Sequence, residues 1–321
     1  VRGCLTRAPA AGETPAYQCE PVKYFCYTED KMIKKYVKDL TVRAVERLHE
    51  RYVLLRLTDE EPLPEMRPGQ FVEVRVDGSP STFLRRPISI CNLDRERNDL
   101  WLLVACVGDG TRQMARLREG DRLNCMLPLG NGWSRPEAMT VSGERPAACE
   151  CSAVNGHRPS VLLAGGGVGV APLLYQGATL GACDVTFLLG ARSAKDLLLL
   201  SEFDKYGRVL VTTEDGTMGE RGFVTHHSVL AQERFDLIQC CGPTPMMKAV
   251  ARYARSTQTA CEVSLENLMA CGLGACLCCV EKVFLSGNAA QHRTGTAAAT
   301  GNVCVCKEGP VFNIERLLWQ D

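Results

Sequence analysis

The sequence predicts a multidomain β plus α/β chain. It should hold an antiparallel β-barrel, a doubly wound domain around a parallel sheet, and a small cysteine-dense C-terminal domain. Three observations carry this. Short apolar segments separated by turn residues fill residues 35–133. Strand-like and helix-like patterns alternate over 160–260. Cysteine and glycine crowd residues 261–321, where few long periodic segments remain.

The chain has 321 residues, too many for one ordinary core and enough for two or three domains. Hydrophobic residues make up 45%, which fits a packed globular protein. The 37 basic and 37 acidic residues cancel. Zero net charge gives no reason to expect a nucleic acid or an anionic membrane as partner. No apolar run approaches the roughly 20 residues that span a bilayer. The longest candidate, Val161 to Tyr175, is broken by Gly165, Gly166, Gly167, Gly169 and Pro172. The N-terminus lacks the basic-then-apolar order of a secretory signal. The cytoplasm is the expected location.

Residues 1–31 carry Cys4, Cys19 and Cys26 without helical or strand period. They are expected to be a non-native or disordered leader, with Met32 as the natural start. A genuine extension is the alternative. The barrel is assigned to 32–135, where TVRAVERL, YVLLRLT, QFVEVRV and LWLLVACV have strand character. Alternation is clearest in FVEVRV, and Pro68-Gly69 and Asp77-Gly78 are turn signals. Residues 136–159 are rich in Pro, Ser, Gly and Ala and read as linker or insertion. Cys149, Cys151 and His157 lie there with no fourth candidate nearby, so they read as bystanders.

From 160 to 260 the strands SVLLAGG, DVTFLLGARS, RVLVTTEDG and FDLIQCCG alternate with the helical patterns PLLYQGATLGA, AKDLLLLSEFDKY and TPMMKAVARYARS. Cysteine, 18 residues in all, is unusually frequent. A chain this long does not need disulfides to make up for a small core, so clustered cysteines read as metal-binding. Scattered ones, such as Cys91, Cys106, Cys125 and Cys183, read as small buried hydrophobes.

The segment CEVSLENLMACGLGACLCCV spaces Cys271-x4-Cys276-x2-Cys279, and Cys304 and Cys306 follow in NVCVCKEGPVF. That spacing, with a distant fourth cysteine, is the plant-type pattern for a 2Fe-2S cluster. A compact loop must wrap one edge of the cluster and aim several thiolates inward. Gly272 and Gly274 permit the backbone angles this needs. Cys278 competes with Cys279 but fits the spacing less well. Zinc usually takes two C-x2-4-C or C/H pairs, and Cys304-Val-Cys306 is too close for one.

LLAGGGVGVAP follows a strand and opens a helix. Its glycines let backbone approach a pyrophosphate at a helix N-terminus, though such turns also serve plain packing. CGPTPMM follows a second buried strand and TTEDGTMGERG a third. In LRRPISI, Arg86 can fork onto a pyrophosphate, Pro87 fixes the extended backbone, and Ser89 can bond a ring edge. An Arg-x-x-Ser at an ordinary strand end is the plainer alternative. VGDGT offers Gly110 and Thr111 as a second phosphate contact.

These motifs, in this order, resemble the electron-transfer subunits of bacterial class 1B dihydroorotate dehydrogenases, within the ferredoxin–NADP reductase-like superfamily. The likeness covers residues 33–321, and MACGLGACLCCV with VCKEGPVF is its most specific part. It implies an FAD-binding β-barrel, an NAD-binding Rossmann-like domain over 160–260 and a 2Fe-2S domain over 261–321. Carried over as FAD contacts are Arg86, Pro87, Ile88 and Ser89, then Leu103, Val104 and Ala105, then Gly110 and Thr111. The NAD site is assigned to Gly165, Gly166, Gly167, Gly169, Pro172, Cys241, Gly242 and Pro243. The cluster ligands implied are Cys271, Cys276, Cys279 and Cys306. Cys306 is chosen over Cys304 because it directly precedes Lys307-Glu308-Gly309.

Two features depart from the family. Residues 288–302 look like a mobile insertion, and Ala105 replaces a larger polar residue, leaving its contact to backbone. The resemblance implies electron exchange among NAD(H), FAD, the cluster and an FMN-containing catalytic subunit. That subunit oxidises dihydroorotate in pyrimidine (UMP) biosynthesis, in a heterotetramer of two of each. No catalytic base is expected here. Arg192 could meet a 2′-phosphate or be a surface arginine; the resemblance favours NADH. A related flavin and iron–sulfur subunit of a hydrogenase or transhydrogenase is the alternative. A zinc-binding structural subunit is a rival from another class, and a colourless protein would mark it.

Overall fold

The computed structural model describes residues 34–136, 158–285 and 299–319, within one compact unit, Met32–Asp321. The leader, most of 136–159 (with Cys149, Cys151 and His157) and most of the expected insertion lie outside the described residues.

Six strands close an antiparallel barrel: β1 (Tyr36–His49), β2 (Tyr52–Thr58), β3 (Phe71–Val74), β4 (Arg86–Asp94), β5 (Asp99–Ala105) and β6 (Arg122–Leu129). Their order is β1-β2-β5-β4-β3-β6. Closure leaves no open strand edge. Leu40, Val42, Val72, Val74, Leu100 and Leu102 fill the interior. The short helix α1 (Asp109–Met114) adds Met114 to the same core. β4 and β6 were not among the strands legible in the sequence. RPISICNLD and RLNCMLPL carry proline and break the apolar alternation.

The parallel part runs β7 (Ser160–Gly166), α2 (Ala171–Thr179), β8 (Asp184–Ala191), α3 (Leu200–Phe203), β9 (Arg208–Thr213), β10 (Glu220–Arg221), α4 (Val229–Gln232), β11 (Leu237–Cys241), α5 (Thr244–Ser256) and β12 (Ala260–Ser264). The C-terminal part adds the antiparallel pair β13 (Val280–Phe284) and β14 (Thr300–Cys304), then α6 (Val305–Glu308) and β15 (Val311–Asn313). Thr300 to Asn302, the end of the expected insertion, are thus part of a strand.

The seven-stranded sheet has the order β10-β9-β8-β7-β11-β12-β15. All its pairs are parallel except β12 with β15. Both faces are covered, so Val161 to Ala164 is an unbroken buried run.

The helix expected over AKDLLLLSEFDKY does not form. Ala194–Asp196 is a single 3-10 turn, Leu199 sits at φ +58°, and α3 has four residues. Leucines at 197–200 lack helical period. Leu198 goes into the core while Leu197, Leu199 and Leu200 stay half-buried. Asp196 is held by Arg51 of the barrel and by Ser193, whose hydroxyl donates at 3.0 Å.

The β6 end ties the barrel to the C-terminal segment. Asn131 Nδ2 donates to the carbonyls of Glu308 (2.9 Å) and Val311 (2.8 Å). Its Oδ1 accepts from the Val311 N–H at 3.0 Å. At Gly130 (φ +75°) a Cβ would lie 2.7 Å from the Gly309 carbonyl and 2.9 Å from Phe71. Asn131→Ala removes three hydrogen bonds and should lower the apparent unfolding free energy by about 2–3 kcal/mol. Urea unfolding of the purified chain checks this; an unchanged midpoint would refute the tie.

Candidate functional site

The segment between β12 and β13 is irregular and bent by Gly272 (φ +64°) and Gly274 (φ +81°). Leu277 adopts φ +58° without glycine's freedom. These bends turn N–H groups toward sulfur. Leu273 N–H donates to Cys271 Sγ at 3.3 Å, Gly274 N–H to Cys306 Sγ at 3.1 Å, and Cys306 N–H to Cys279 Sγ at 3.3 Å. Val305 N–H donates to the Cys279 carbonyl at 3.0 Å, holding α6 on the loop.

The four thiols stand as two hydrogen-bonded pairs, Cys271 with Cys276 and Cys279 with Cys306. The N–H groups of Leu273 and Cys276 favour thiolate and bring the Cys271 pKa down to about 6. Burial pushes Cys306 up to about 12, with the Cys279 thiol adding to it. A 2Fe-2S cluster takes four thiolates, two on each iron, and two side-by-side pairs fit that donor set. Cys278 is exposed, and Cys304 donates to the Gly274 carbonyl at 3.7 Å instead of joining a pair.

Beneath the loop lies Glu73 of β3. It is 0% exposed, and neither carboxylate oxygen has a hydrogen-bond partner. Desolvation raises its pKa to about 7, while the charges of Arg85 and Arg86 pull it down. Sequence reasoning missed this residue. The alternation of FVEVRV places Glu73 on the outer face of the barrel, but the cysteine loop covers that face.

A pocket of about 220 Å³ lies between β4 and α1, lined by Thr82, Arg86, Gly108, Asp109, Gly110 and Thr111 among others. The Thr111 hydroxyl accepts from the Gly108 N–H and bonds its carbonyl, both at 3.0 Å, and so shapes the turn. A Cβ on Gly110 would lie 2.9 Å from Thr82 and 3.3 Å from Arg86 Nε, so glycine lets the three meet. Among the described residues, the Arg86 side chain makes one hydrogen bond, to the Arg85 carbonyl at 3.3 Å, and no ion pair. Its remaining N–H donors suit a diphosphate. Pro87, Ile88 and Ser89 are half-buried along β4. Leu103 and Val104 are buried in separate cores, and Ala105 is half-buried opposite Tyr52. These three offer a ligand backbone rather than side chain.

The glycine loop after β7 and the CGP loop after β11 meet at the carboxyl ends of neighbouring strands. The chain leaves β7 toward β8 on one side and reaches β11 on the other, a topological switch point. The glycines divide by role. A Cβ on Gly169 would lie 2.6 Å from Gly242 backbone, and one on Gly166 2.7 Å from Met246 Sδ. Gly165 is likewise closed by Leu173 and Val170. Gly167 (φ +57°) is open, with only the Tyr52 hydroxyl near, at 3.9 Å. Pro172 and Cys241 are buried, while Gly242 and Pro243 line the opening. A larger hollow of about 870 Å³ lies at the opposite strand ends. Four of its charged side chains are already paired, Arg208 with Glu233 at 2.6 Å and Arg158 with Asp184 at 3.4 Å. Ligands of such sheets bind at the carboxyl ends, so the smaller sites are the better candidates.

Residues 266–318 match the family described as the iron-sulfur cluster binding domain of dihydroorotate dehydrogenase B. The chain is 37% identical over 287 residues to the dihydroorotate dehydrogenase B (NAD(+)) electron transfer subunit of Shouchella clausii, covering 88% of this chain and 98% of that one. The subunit of the same name from Bacillus velezensis is 35% identical, covering 87% and 97%. Among solved structures, the NADH-dependent reduced ferredoxin-NADP oxidoreductase superposes with TM-score 0.69 at 27% identity, covering 87% of this chain and 90% of that one. Amycolatopsis cytochrome P450 reductase GcoB gives TM-score 0.55 at 26% identity, covering 70% and 68%. The match over nearly the whole length of these relatives, with the thiol pairs inside the matched domain, means that the chain belongs to the family of dihydroorotate dehydrogenase B electron transfer subunits.

Proposed function

We propose that this chain carries electrons between NAD(H) and an FMN-containing dihydroorotate dehydrogenase catalytic subunit, by way of FAD and a 2Fe-2S cluster. The observation that carries the reading is the set of two thiol pairs, formed by three cysteines of the loop between β12 and β13 with Cys306 of α6, beside a barrel with an open arginine fork. The relatives' names supply dihydroorotate and NAD(+). The reaction belongs to pyrimidine (UMP) biosynthesis. Among the described residues no helix is long and apolar enough to cross a membrane. The cytoplasm is the proposed location, and two copies of each subunit the proposed assembly.

When bound, FAD and the cluster supply the exchange between two-electron hydride chemistry and one-electron transfer. The chain's residues bind and orient. Arg86, with Gly110 and Thr111 at the start of α1, would hold the diphosphate, and Ser89 a ring edge. Pro87, Ile88 and the backbone of Leu103, Val104 and Ala105 would line the ring site. Gly167, Gly242 and Pro243 would face the nicotinamide nucleotide, while Gly165, Gly166, Gly169, Pro172 and Cys241 shape the loops behind them. Cys271, Cys276, Cys279 and Cys306 would hold the cluster, and the N–H groups aimed at the sulfurs of Cys271, Cys279 and Cys306 would raise its potential. Leu268, Leu273 and Leu277 are exposed around the cysteines and suit a partner's surface. The domain bounds proposed are 32–135, 160–260 and 261–321, with 136–159 joining the first two.

The test is co-purification with the catalytic subunit and assay of NAD(+) reduction by dihydroorotate. A protein holding flavin and about two irons per chain, with that activity, is expected; a colourless protein holding zinc would overturn the reading. Cys276→Ser and Cys306→Ser should each lose iron but keep flavin, read by iron analysis and the visible spectrum. Arg86→Ala should weaken FAD binding about tenfold to hundredfold, as loss of charge-assisted hydrogen bonds predicts, measured by flavin titration. Gly169→Ala forces its Cβ into Gly242. It should slow flavin reduction by NADH while reduction by dithionite is unchanged.

A further inference from the structure

The backbone of Glu73 pairs with Pro87 of β4 on one side and Met126 of β6 on the other. Its neighbours Val72 and Val74 fill the barrel interior, so its side chain points outward. Phe71, on the same outward face, packs in one core with Cys279, Cys306 and Leu129. By register, Pro87 and Ser89 stand opposite Glu73 and Phe71 on that face. From above, the cysteine loop closes on the glutamate: a Cβ built on Gly272 would lie 3.0 Å from Glu73 Cγ. The carboxylate is thus enclosed between the strand that carries Arg86 and Ser89 and the loop that carries Cys271.

Nothing neutralises it by direct contact. Both oxygens lack hydrogen-bond partners. Arg85 is near, but its Nη1 donates to the Glu73 carbonyl (3.1 Å) and the Asn124 carbonyl (3.2 Å), and its Nη2 to Asn124 Oδ1 (2.5 Å). Arg85 and Arg86 act on the carboxylate only through space, as does Cys271. A residue needed only for packing here would be better met by leucine or methionine, since an unpaired buried carboxyl opposes folding.

We propose that Glu73 tunes the cluster, its buried carboxylate lowering the reduction potential of a centre held by Cys271, Cys276, Cys279 and Cys306. The proposal rests on the ligand reading given above. A fixed negative charge opposes the addition of an electron nearby. In a dry interior that opposition is neither screened by salt nor diluted by water. Cluster potentials respond to local net charge, so a single carboxylate at this position is enough to be measured.

The experiment is a redox titration of the holoprotein, repeated from neutral to alkaline pH, with the cluster followed by electron paramagnetic resonance and the flavin by visible absorption. Glu73→Gln keeps the shape and removes the charge. It should raise the cluster midpoint at unchanged iron content and move the flavin midpoint less. Glu73→Asp keeps the charge and should stay near wild type. A Gln variant with intact cluster and wild-type midpoint overturns the proposal, as does an Asp variant that shifts as far as Gln. If the Gln variant holds no cluster, Glu73→Met decides on the same terms, being neutral without a polar group to bury. A wild-type protein without iron would sink the ligand reading instead, which iron analysis distinguishes from a failure of the tuning role.

Discussion

The clamp between Asn131 and the chain around Gly309 to Val311 is the contact on which the rest depends. It joins three regions through one side chain. The barrel contributes the Gly130-Asn131 turn, kept in place by Gln70, whose Nε2 donates to the Gly130 carbonyl at 2.9 Å. The cysteine region contributes α6, with Cys306 in it. The parallel sheet receives β15, which begins at Val311. Phe71 lies against this turn and beside Glu73. The clamp therefore sets the height of the cysteine loop above the barrel wall.

Much of this was legible in the sequence, and the limits were physical. The spacing from Cys271 to Cys279 is local, so a loop fold alone brings those thiols together. Cys306 was expected from resemblance alone, because a thiol 27 positions after Cys279 is brought beside it only by the pairing of β13 with β14. The parallel sheet was legible because its central strands, β7, β8 and β11, are buried and read as apolar runs between helix-like segments. The leucine run at 197–200 misled for a related reason. Apolar content without period suggests a helix until tertiary contacts, here Arg51 with Asp196, impose another path.

Glu73 shows the harder limit. Alternation tells which residues leave the barrel core, not what covers them afterwards. A polar residue on the outer face reads as solvated, and only the docking of a segment some two hundred positions later buries it. The glycine loop makes a similar point. Its sequence allows two tasks, phosphate approach and plain packing, and the structure divides them: Gly165, Gly166 and Gly169 are closed by protein and only Gly167 opens outward. Most of the glycine there lets two loops touch, which in turn creates the crevice a nucleotide would use.

The position of β15 has a further consequence. It is the one antiparallel strand of the seven, and it covers the edge of β12. The chain reaches it only after passing through the cysteine region. That region is therefore not an appendage that could be cut off or exchanged while the dehydrogenase-like half stays intact. Truncation before Cys271 would strip the sheet of its border and leave the row of backbone donors and acceptors on β12 open to pairing with another chain. In engineering terms the redox lobe and the nucleotide lobe form a single cassette, and a transplant would have to move both, together with the barrel turn that grips them.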